Sequence, residues 1–274
     1  MSKKRTIYYY DEQNDDFAGT NIVQKPIKDN FKYIRDKNPI WRLSSFLTYY
    51  ILVKPLGLFI NKIINGSSIK NRKVLRKINR RSGYFLYGNH TSMLSDAFQP
   101  SLIKYGKKTY IIANPDVTSI KGIENLVMML GALPLPNTMP SRVNFIRCVK
   151  KRVSQGACIT IYPEAHIWPY YTKLRDFSKE NLHYPVKLNV PCFTITTCYS
   201  KHKGLLFFIK RPKVTSYIDG PFYPDSSLNQ DEAEEKLKLQ IQEAMKKRLE
   251  KYSTYEYINY VKVDDPSQRT ISIN

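Results

Sequence analysis

The sequence predicts an α/β domain with a central mixed β-sheet flanked by helices. Short apolar runs typical of buried strands occur at 84–87 and 157–162. Residues 140–156 lead into the second run with the periodicity of a helix, since apolar side chains recur on one face and Gly156 ends it. Alternation of strand, helix and strand is typical of α/β folds.

The remaining apolar segments extend this pattern along the chain. Runs at 109–113 and 190–198 predict two further strands, and residues 204–210 with 213–218 predict a β-hairpin. A last helix is predicted over 227–252, because its start is acidic and its end is basic, which suits the helix dipole. These elements fit one large domain in a chain of 274 residues.

The charge of the chain points to anionic partners. The formal net charge of +21 predicts affinity for polyanions, either nucleic acid or an anionic membrane, and charge alone does not separate them. The start of the chain lacks the apolar core of a signal peptide. No cysteine has metal-binding spacing, so we expect no metal site and buried free thiols in a reducing compartment. The cysteines are Cys148, Cys158, Cys192 and Cys198.

An apolar region near the N-terminus predicts contact with a membrane. Residues 40–53 and 56–64 are rich in large apolar side chains, but Arg42, Lys54-Pro55 and Lys62 interrupt them. A spanning helix needs about 20 largely apolar residues. We therefore predict a membrane-associating pair of shorter helices lying in the interface, with two alternatives: packing on the domain's own core, or a single span.

The cationic run at 70–81 favours a membrane over nucleic acid. It contains no aromatic residues, which single-stranded nucleic-acid sites interleave with their cations, and it follows the apolar region directly. A solvated basic face is the alternative. The predicted divisions are a weakly structured N-terminal segment, the interface helices with a basic belt, the α/β domain and a flexible tail: 1–38, 39–82, 83–262 and 263–274.

The strand at 84–87 ends at Gly88 and is followed by residues suited to acid–base chemistry. His90 is a candidate general base, and Asp96 is suited to orient the imidazole and stabilise its charged form. Positions six apart lie about 120° apart around a helix, so the two side chains can pair only if His90 precedes the helix. The alternative is that both residues cap a helix starting near Thr91.

A second strand, at 159–162, ends in Pro163 and Glu164. With Asn89, His90 and Asp96, this stretch resembles the glycerolipid acyltransferase family, which includes the 1-acylglycerol-3-phosphate acyltransferases. That family carries Asn-His-x4-Asp after one strand and Phe-Pro-Glu-Gly-Thr-Arg after a later one. In this chain five residues separate His90 from Asp96, and Ala-His-Ile stands in place of Gly-Thr-Arg.

The resemblance implies an acyltransferase with His90 and Asp96 as its catalytic pair. Other cations must then replace the family's missing phosphate-binding arginines. After Glu164 the first substitute is Arg175, because guanidinium binds phosphate in a bidentate manner. Where the family's Gly-led strand ends in an arginine, this chain has Pro136-Asn137, and the nearest guanidinium is Arg142, with Lys121 as a weaker option. An aromatic wall or a hydrophobic lid is predicted at Trp168, Tyr170 and Tyr171. The predicted substrate-binding residues are Asn89, Glu164, Arg142, His166, Lys173 and Arg175.

The predicted reaction moves a fatty acyl group from acyl-CoA or acyl-carrier protein to the hydroxyl of a lysophospholipid such as 1-acylglycerol-3-phosphate. The acyl thioester is a substrate, and we expect no further cofactor. The predicted location is the cytoplasmic face of an anionic phospholipid membrane, as a peripheral or monotopic enzyme of phospholipid biosynthesis. Two alternatives are a non-catalytic protein that binds polyanions or membrane surfaces, and a lipid hydrolase using the same histidine and aspartate.

Overall fold

The computed structural model describes residues 5–17, 25–64, 66–103, 108–119, 122–204 and 207–270. The helices are α1 (Pro39–Leu47), α2 (Lys54–Phe59), α3 (Met93–Phe98), α4 (Glu124–Leu130), α5 (Met139–Ser154), α6 (His183–Leu188) and α7 (Gln230–Tyr252). The strands are β1 (Arg5–Tyr9), β2 (Ser68–Lys70), β3 (Tyr84–Gly88), β4 (Thr109–Ala113), β5 (Ala132–Pro134), β6 (Cys158–Ile161), β7 (Cys192–Ser200), β8 (Lys213–Phe222) and β9 (Ile258–Lys262).

Seven of the described strands form one sheet in the order β2-β8-β7-β3-β6-β4-β5. Strands β7, β3, β6, β4 and β5 run parallel, while β8 is antiparallel to β7 and parallel to β2. The predicted α/β fold with a mixed sheet is confirmed. The five parallel strands define a carboxyl edge, where they end, and an amino edge, where they begin. Loops at the carboxyl edge of such sheets commonly carry functional residues.

Strand β3 lies in the middle of the sheet and is buried along its whole length. Phe85 and Tyr87 pack into an apolar cluster with side chains of α5 and α7, whereas Tyr84 and Leu86 pack on the other face. A strand covered on both faces reads as a continuous apolar run rather than an alternating one, which is why the sequence pattern was informative. His90 therefore follows a central strand that is buried on both faces.

The N-terminal segment is more ordered than the sequence predicts. Strand β1 pairs in parallel with β9 over its full length, and Phe17 is buried beside Trp168. Its ordering comes from a partner more than 240 residues away, so no local pattern reveals it. The described part of the predicted flexible tail is also attached, because the N–H groups of Val263 and Thr270 donate to carbonyls of β1.

The predicted hairpin between 204–210 and 213–218 is wrong. Strand β8 pairs instead with the preceding long strand β7, along almost its whole length. The nine-residue β7 offers a longer ladder of backbone hydrogen bonds than a local hairpin could. Of the predicted first arm, the described residues 207–210 are assigned to no strand.

The apolar N-terminal region forms one continuous helix, Pro39–Lys62, rather than the predicted pair of helices. Proline breaks α-helices by removing a donor and crowding the preceding turn. Here a π-helical turn, Thr48–Val53, directly precedes Lys54-Pro55 and accommodates the proline within the helix. The 24-residue helix is long and apolar enough to cross a membrane by length and composition, and only 22% of its most apolar window is buried.

One stripe of this helix packs along the domain. Tyr49, Val53, Gly57 and Ile60 are buried at helical spacing. The opposite side exposes large apolar side chains from one end to the other: Ile40, Leu43, Phe46, Leu47, Ile51, Leu52, Leu56, Leu58 and Phe59. The helix therefore has one protein-facing stripe and one exposed apolar side, which makes it a candidate membrane-associating element.

The cationic run at 70–81 follows this helix in the chain and exposes most of its charged side chains. Val74, Leu75 and Ile78 pack against the cluster that contains Tyr84 and Leu86, so the apolar stripe predicted from the sequence is present. A 3-10 helix, Arg72–Lys77, carries most of the run. The cations on its outer side are exposed: Lys70, Lys73, Arg76, Lys77, Arg80 and Arg81.

Candidate active site

Asn89 fixes the direction in which the chain leaves β3. Its side-chain amide donates to the carbonyl of Thr197 at 3.0 Å, and its Oδ1 accepts from the Thr197 N–H at 2.8 Å. Asn89 is buried, and both ends of its amide are used by strand β7. The structure therefore assigns Asn89 a positioning role instead of the predicted contact with substrate.

His90 and Asp96 form the pair that the sequence predicts. Nδ1 of His90 lies 2.8 Å from Oδ2 of Asp96. His90 precedes α3, and the first turn of this helix carries Asp96 back towards the imidazole after the N-cap residue Ser92. The same Oδ2 accepts from the backbone N–H groups of Thr91 at 3.0 Å and Ser92 at 2.9 Å. The turn thus holds the carboxylate under the ring.

The carboxylate also determines the tautomer of His90. An ionised carboxylate only accepts hydrogen bonds, so Nδ1 must donate, and Nε2 of the neutral ring then carries the lone pair. Nε2 has no hydrogen-bond partner among the described residues. The His90 side chain is 18% exposed and that of Asp96 only 3%. The arrangement presents a base on a partly exposed ring, backed by a buried carboxylate.

Tyr162 covers one face of the imidazole. The two rings stack with centroids 4.6 Å apart and planes 17° apart, and the Tyr162 hydroxyl donates to the carbonyl of Asp96 at 2.7 Å. Gly88 makes this contact possible, because a Cβ at that position would lie 2.6 Å from the tyrosine ring. The sequence motif contains Tyr162, but only the fold shows that it fixes the ring plane of His90.

Glu164 supports the site from beneath. Its Oε2 accepts from the backbone N–H of His90 at 3.0 Å, and its Oε1 accepts from the backbone N–H of Arg175 at 3.1 Å. The carboxylate is buried, and this burial raises its pKa in spite of the nearby Arg175. Glu164 therefore joins the loop after β6 to the loop after β3.

The predicted role of Arg175 in binding phosphate is wrong, because its guanidinium is buried and both of its Nη atoms already have partners. Nη2 lies 3.4 Å from Oε2 of Glu164 and donates to the carbonyl of His166, while Nη1 donates to the carbonyl of Glu12 at 3.2 Å. Arg175 is 1% exposed, and its guanidinium lies 4.8 Å from the Trp168 ring. It holds the scaffold together.

The other predicted cations are exposed. Lys173 is exposed in the loop after β6, and Arg142 is exposed in the first turn of α5. That helix follows β5, which lies three strand positions from β3, roughly 14 Å across the sheet. His166 lies with Nδ1 3.7 Å from Oδ2 of Asp16. Lys121 lies outside the described residues.

The predicted aromatic wall is wrong for Trp168, which is fully buried. Its Nε1 donates to the carbonyl of Asp15 at 2.8 Å, and its ring stacks on Tyr260 at 5.1 Å. The backbone N–H groups of Trp168 and Tyr170 donate to the carbonyls of His90 and Thr91, both at 3.0 Å. This aromatic cluster clamps the His90 loop from behind. The sequence offered no signal for it except the unusual number of tyrosines.

The fold agrees with a known acyltransferase. Neither a protein-family model nor a curated protein matches the chain. Among solved structures the chain is similar to the 1-acyl-sn-glycerophosphate (LPA) acyltransferase PlsC from Thermotoga maritima, with a TM-score of 0.51 and 17% sequence identity. The match covers 76% of this chain and 86% of that one. This chain therefore has the fold of that glycerolipid acyltransferase.

Proposed function

We propose that this protein is a membrane-associated acyltransferase in which His90 is the general base. The observation that carries the proposal is the His90–Asp96 pair, with 2.8 Å between Nδ1 and Oδ2, on the loop after a central strand of this fold. The likeness to an LPA acyltransferase supports the same reading. The motif residues that resemble the glycerolipid acyltransferases lie in the two loops that meet at His90.

The proposed reaction transfers an acyl group without an acyl-enzyme. Nε2 of His90 takes the proton of an acceptor hydroxyl as that oxygen attacks the thioester carbonyl. The tetrahedral intermediate then collapses, the new ester forms and the carbon–sulfur bond breaks. The departing thiolate takes the proton back from the imidazolium, so the products are the acylated acceptor and a free thiol. Asp96 stabilises the imidazolium between these two steps.

The remaining residues of the site orient this base. Glu164 holds the backbone N–H of His90 at 3.0 Å, and Tyr162 limits rotation of the ring by stacking on it. Both contacts reach His90 from the loop after β6. Catalysis by proton transfer is sensitive to displacements of about 1 Å, so these supports bear on rate although they do not exchange a proton.

The proposed substrates are a lysophospholipid, such as 1-acylglycerol-3-phosphate, and an acyl thioester of coenzyme A or acyl-carrier protein. An exposed lysine, Lys173, lies in the same loop as Glu164 and is open to the acceptor's phosphate. Arg142 is a second exposed cation for this role. A phosphate monoester is well bound by two or three such donors.

The proposed location is the cytoplasmic face of an anionic membrane. The apolar outer side of helix Pro39–Lys62 supports insertion into the interface, and the exposed cations of 70–81 support attraction to anionic lipid. The two features follow one another in the chain, so one surface would carry both. Lysophospholipids also reside in the membrane, which brings the acceptor to the enzyme.

The test is acyl transfer by the purified full chain to a panel of lysolipids, from labelled acyl-CoA and from acyl-carrier protein. We expect His90→Ala to lose about 10²–10⁴-fold in rate with its fold intact. His183→Ala is the matched control, because His183 also pairs with a carboxylate, at 3.1 Å from Glu234, outside the His90 loop. No transfer by the wild type from either donor would refute the proposal, and release of free fatty acid alone would indicate a hydrolase.

A further inference from the structure

A second concave region lies at the amino edge of the sheet, opposite His90. A cavity of about 470 Å³ lies between the N-terminal helix, the start of β4 and the end of α5. Its volume is within the range of small-molecule sites, roughly 300–1,000 Å³. Its lining includes four cations, one carboxylate and an apolar ring: Arg42, Lys108, Lys151, Arg152, Asp36 and Phe46. We call it the amino-edge pocket.

Cations outnumber carboxylates in the amino-edge pocket by four to one among its lining residues. The carboxylate, Asp36, is already engaged by Nη1 and Nη2 of Arg152 at 2.7 and 2.8 Å and by Nζ of Lys151 at 2.8 Å. Burial alone would raise the pKa of Asp36, but Arg152 and Lys151 outweigh it and lower this pKa to about 2. Asp36 is therefore shared by Arg152 and Lys151, and the other two cations, Arg42 and Lys108, form no ion pair with it.

Lys108 is only partly exposed, and no carboxylate among the described residues forms an ion pair with it, since Asp36 acts on it only at longer range. Its Nζ donates to Oγ of Ser45 and to the carbonyl of Met129, which are neutral groups. Desolvation, and then the charge of Arg152, lowers the pKa of Lys108 to about 7. A partly buried cation whose hydrogen bonds go only to neutral acceptors is better satisfied when an anion lies beside it.

Two further donors point to a missing acceptor. Arg152 is 8% exposed, yet its Nε has no hydrogen-bond partner among the described residues. The guanidinium of Arg42 is exposed, and no described residue pairs with it. Buried polar groups are nearly always hydrogen-bonded, so the unpaired Nε of Arg152 beside a cationic cavity is consistent with an external acceptor there. A phosphate group has the charge and the several acceptor oxygens to meet these donors.

The surroundings of the pocket favour a lipid as the source of that phosphate. Phe46 lines the pocket and is also 56% exposed on the apolar outer side of the N-terminal helix. A helix lying in the interface places its apolar side at the acyl boundary, and the phosphates of the headgroups lie just outside that boundary. We propose that the amino-edge pocket binds the phosphate-bearing headgroup of an anionic phospholipid. The proposal rests on the membrane contact of this helix and not on the chemistry at His90.

The test is calorimetric titration of the full chain, in a neutral detergent, with soluble dihexanoylphosphatidylglycerol. We expect Arg42→Gln combined with Lys108→Met to weaken binding about tenfold, because both variants remove cations without carboxylate partners. The matched control is Arg147→Gln combined with Lys150→Met, which removes the same charges from the exposed side of α5. We expect the control to bind within twofold of the wild type. Equal binding by the pocket variant and the control would overturn the proposal.

A second ligand and two further variants complete the experiment. Inorganic phosphate should bind at least tenfold more weakly than the lipid, and equal binding would assign the pocket to a free anion instead. If Lys108→Met does not fold, binding by Arg42→Gln alone is compared with binding by the wild type, because Arg42 is exposed and its substitution does not disturb the core. His90→Ala should bind the lipid as the wild type does, so a failure of acyl transfer and a failure of this pocket remain separate results.

Discussion

The two edges of the sheet differ in how their ionisable side chains are paired. At the carboxyl edge, each buried ionisable group of the site faces a partner: His90 faces Asp96, and Glu164 faces Arg175. At the amino edge, the partly buried Lys108 donates to neutral acceptors, and Arg152 shares Asp36 with Lys151. A balanced site is already organised for a neutral reactant such as a hydroxyl, whereas an unbalanced one is organised for an anion. The carboxyl edge thus suits the proposed chemistry, and the amino edge suits the proposed binding of an anion.

The largest effect should come from neutralising the carboxylate behind the proposed base. In Asp96→Asn the imidazolium loses its stabilising charge, so we expect the rate of acyl transfer to fall about 10²–10⁴-fold. The measurement is the initial rate at saturating acceptor and donor. Asp16→Asn is the control, since Asp16 lies 3.7 Å from the other loop histidine, His166, and its side chain is 40% exposed. A rate within threefold of the wild type would show that the pair does not act in transfer.

Next in size is the scaffold pair beneath the site. Arg175→Met leaves the buried carboxylate of Glu164 without its cation, and breaking a buried pair in this way costs about 3–5 kcal/mol of the free energy of unfolding. Urea denaturation measures the loss. Lys173→Met, at an exposed position two residues earlier, should change stability by less than about 0.5 kcal/mol.

Adding Glu164→Gln to Arg175→Met sharpens that result. The double variant has no unpaired charge and should recover part of the stability. A double variant less stable than Arg175→Met by the full cost of a second buried group would show that the two side chains act independently.

A further prediction concerns Lys108 at the amino edge, whose contribution to the free energy of unfolding should depend on pH. The folded pKa of Lys108, about 7, lies below its ordinary value of 10.5, so the unfolded chain binds more protons between these limits. The contribution of Lys108 to stability therefore rises with pH, by about 2 kcal/mol between pH 7 and 9. The measurement compares the free energies of unfolding of the wild type and Lys108→Met at both pH values without lipid. A difference that stays constant with pH would mean that Lys108 titrates normally.

The smallest effect concerns the backbone of the loop after β6. Ala165 occupies the left-handed region with φ of 63°, at the position where the resembled family has glycine. Relief of this strain is partly offset by the entropy of glycine, so Ala165→Gly should stabilise the fold by about 0.5–1 kcal/mol. Ala157→Gly, outside the left-handed region, should destabilise it instead. Thermal unfolding of both variants decides the sign.

The local patterns of the chain were sufficient for much of the fold and for the proposed base. The buried run that ends at Gly88, the turn that must precede a helix, and the spacing of His90 and Asp96 all lie within 13 residues. Side-chain periodicity and turn geometry act over such distances, so they can be read directly. The same reasoning missed the continuity of the N-terminal helix, because a π-helical turn that accommodates Pro55 has no simple sequence signal.

The roles of the charged residues depended on the tertiary structure. Arg175 looked free to bind phosphate, but the fold buries it against Glu164 and the carbonyl of Glu12. Asp36, Lys108 and Arg152 lie far apart in the chain and meet only because the start of β4 and the end of α5 both lie at the amino edge. Whether an ion is free, paired or buried depends on which loops converge around it, and that follows from packing of the whole chain rather than from any local pattern.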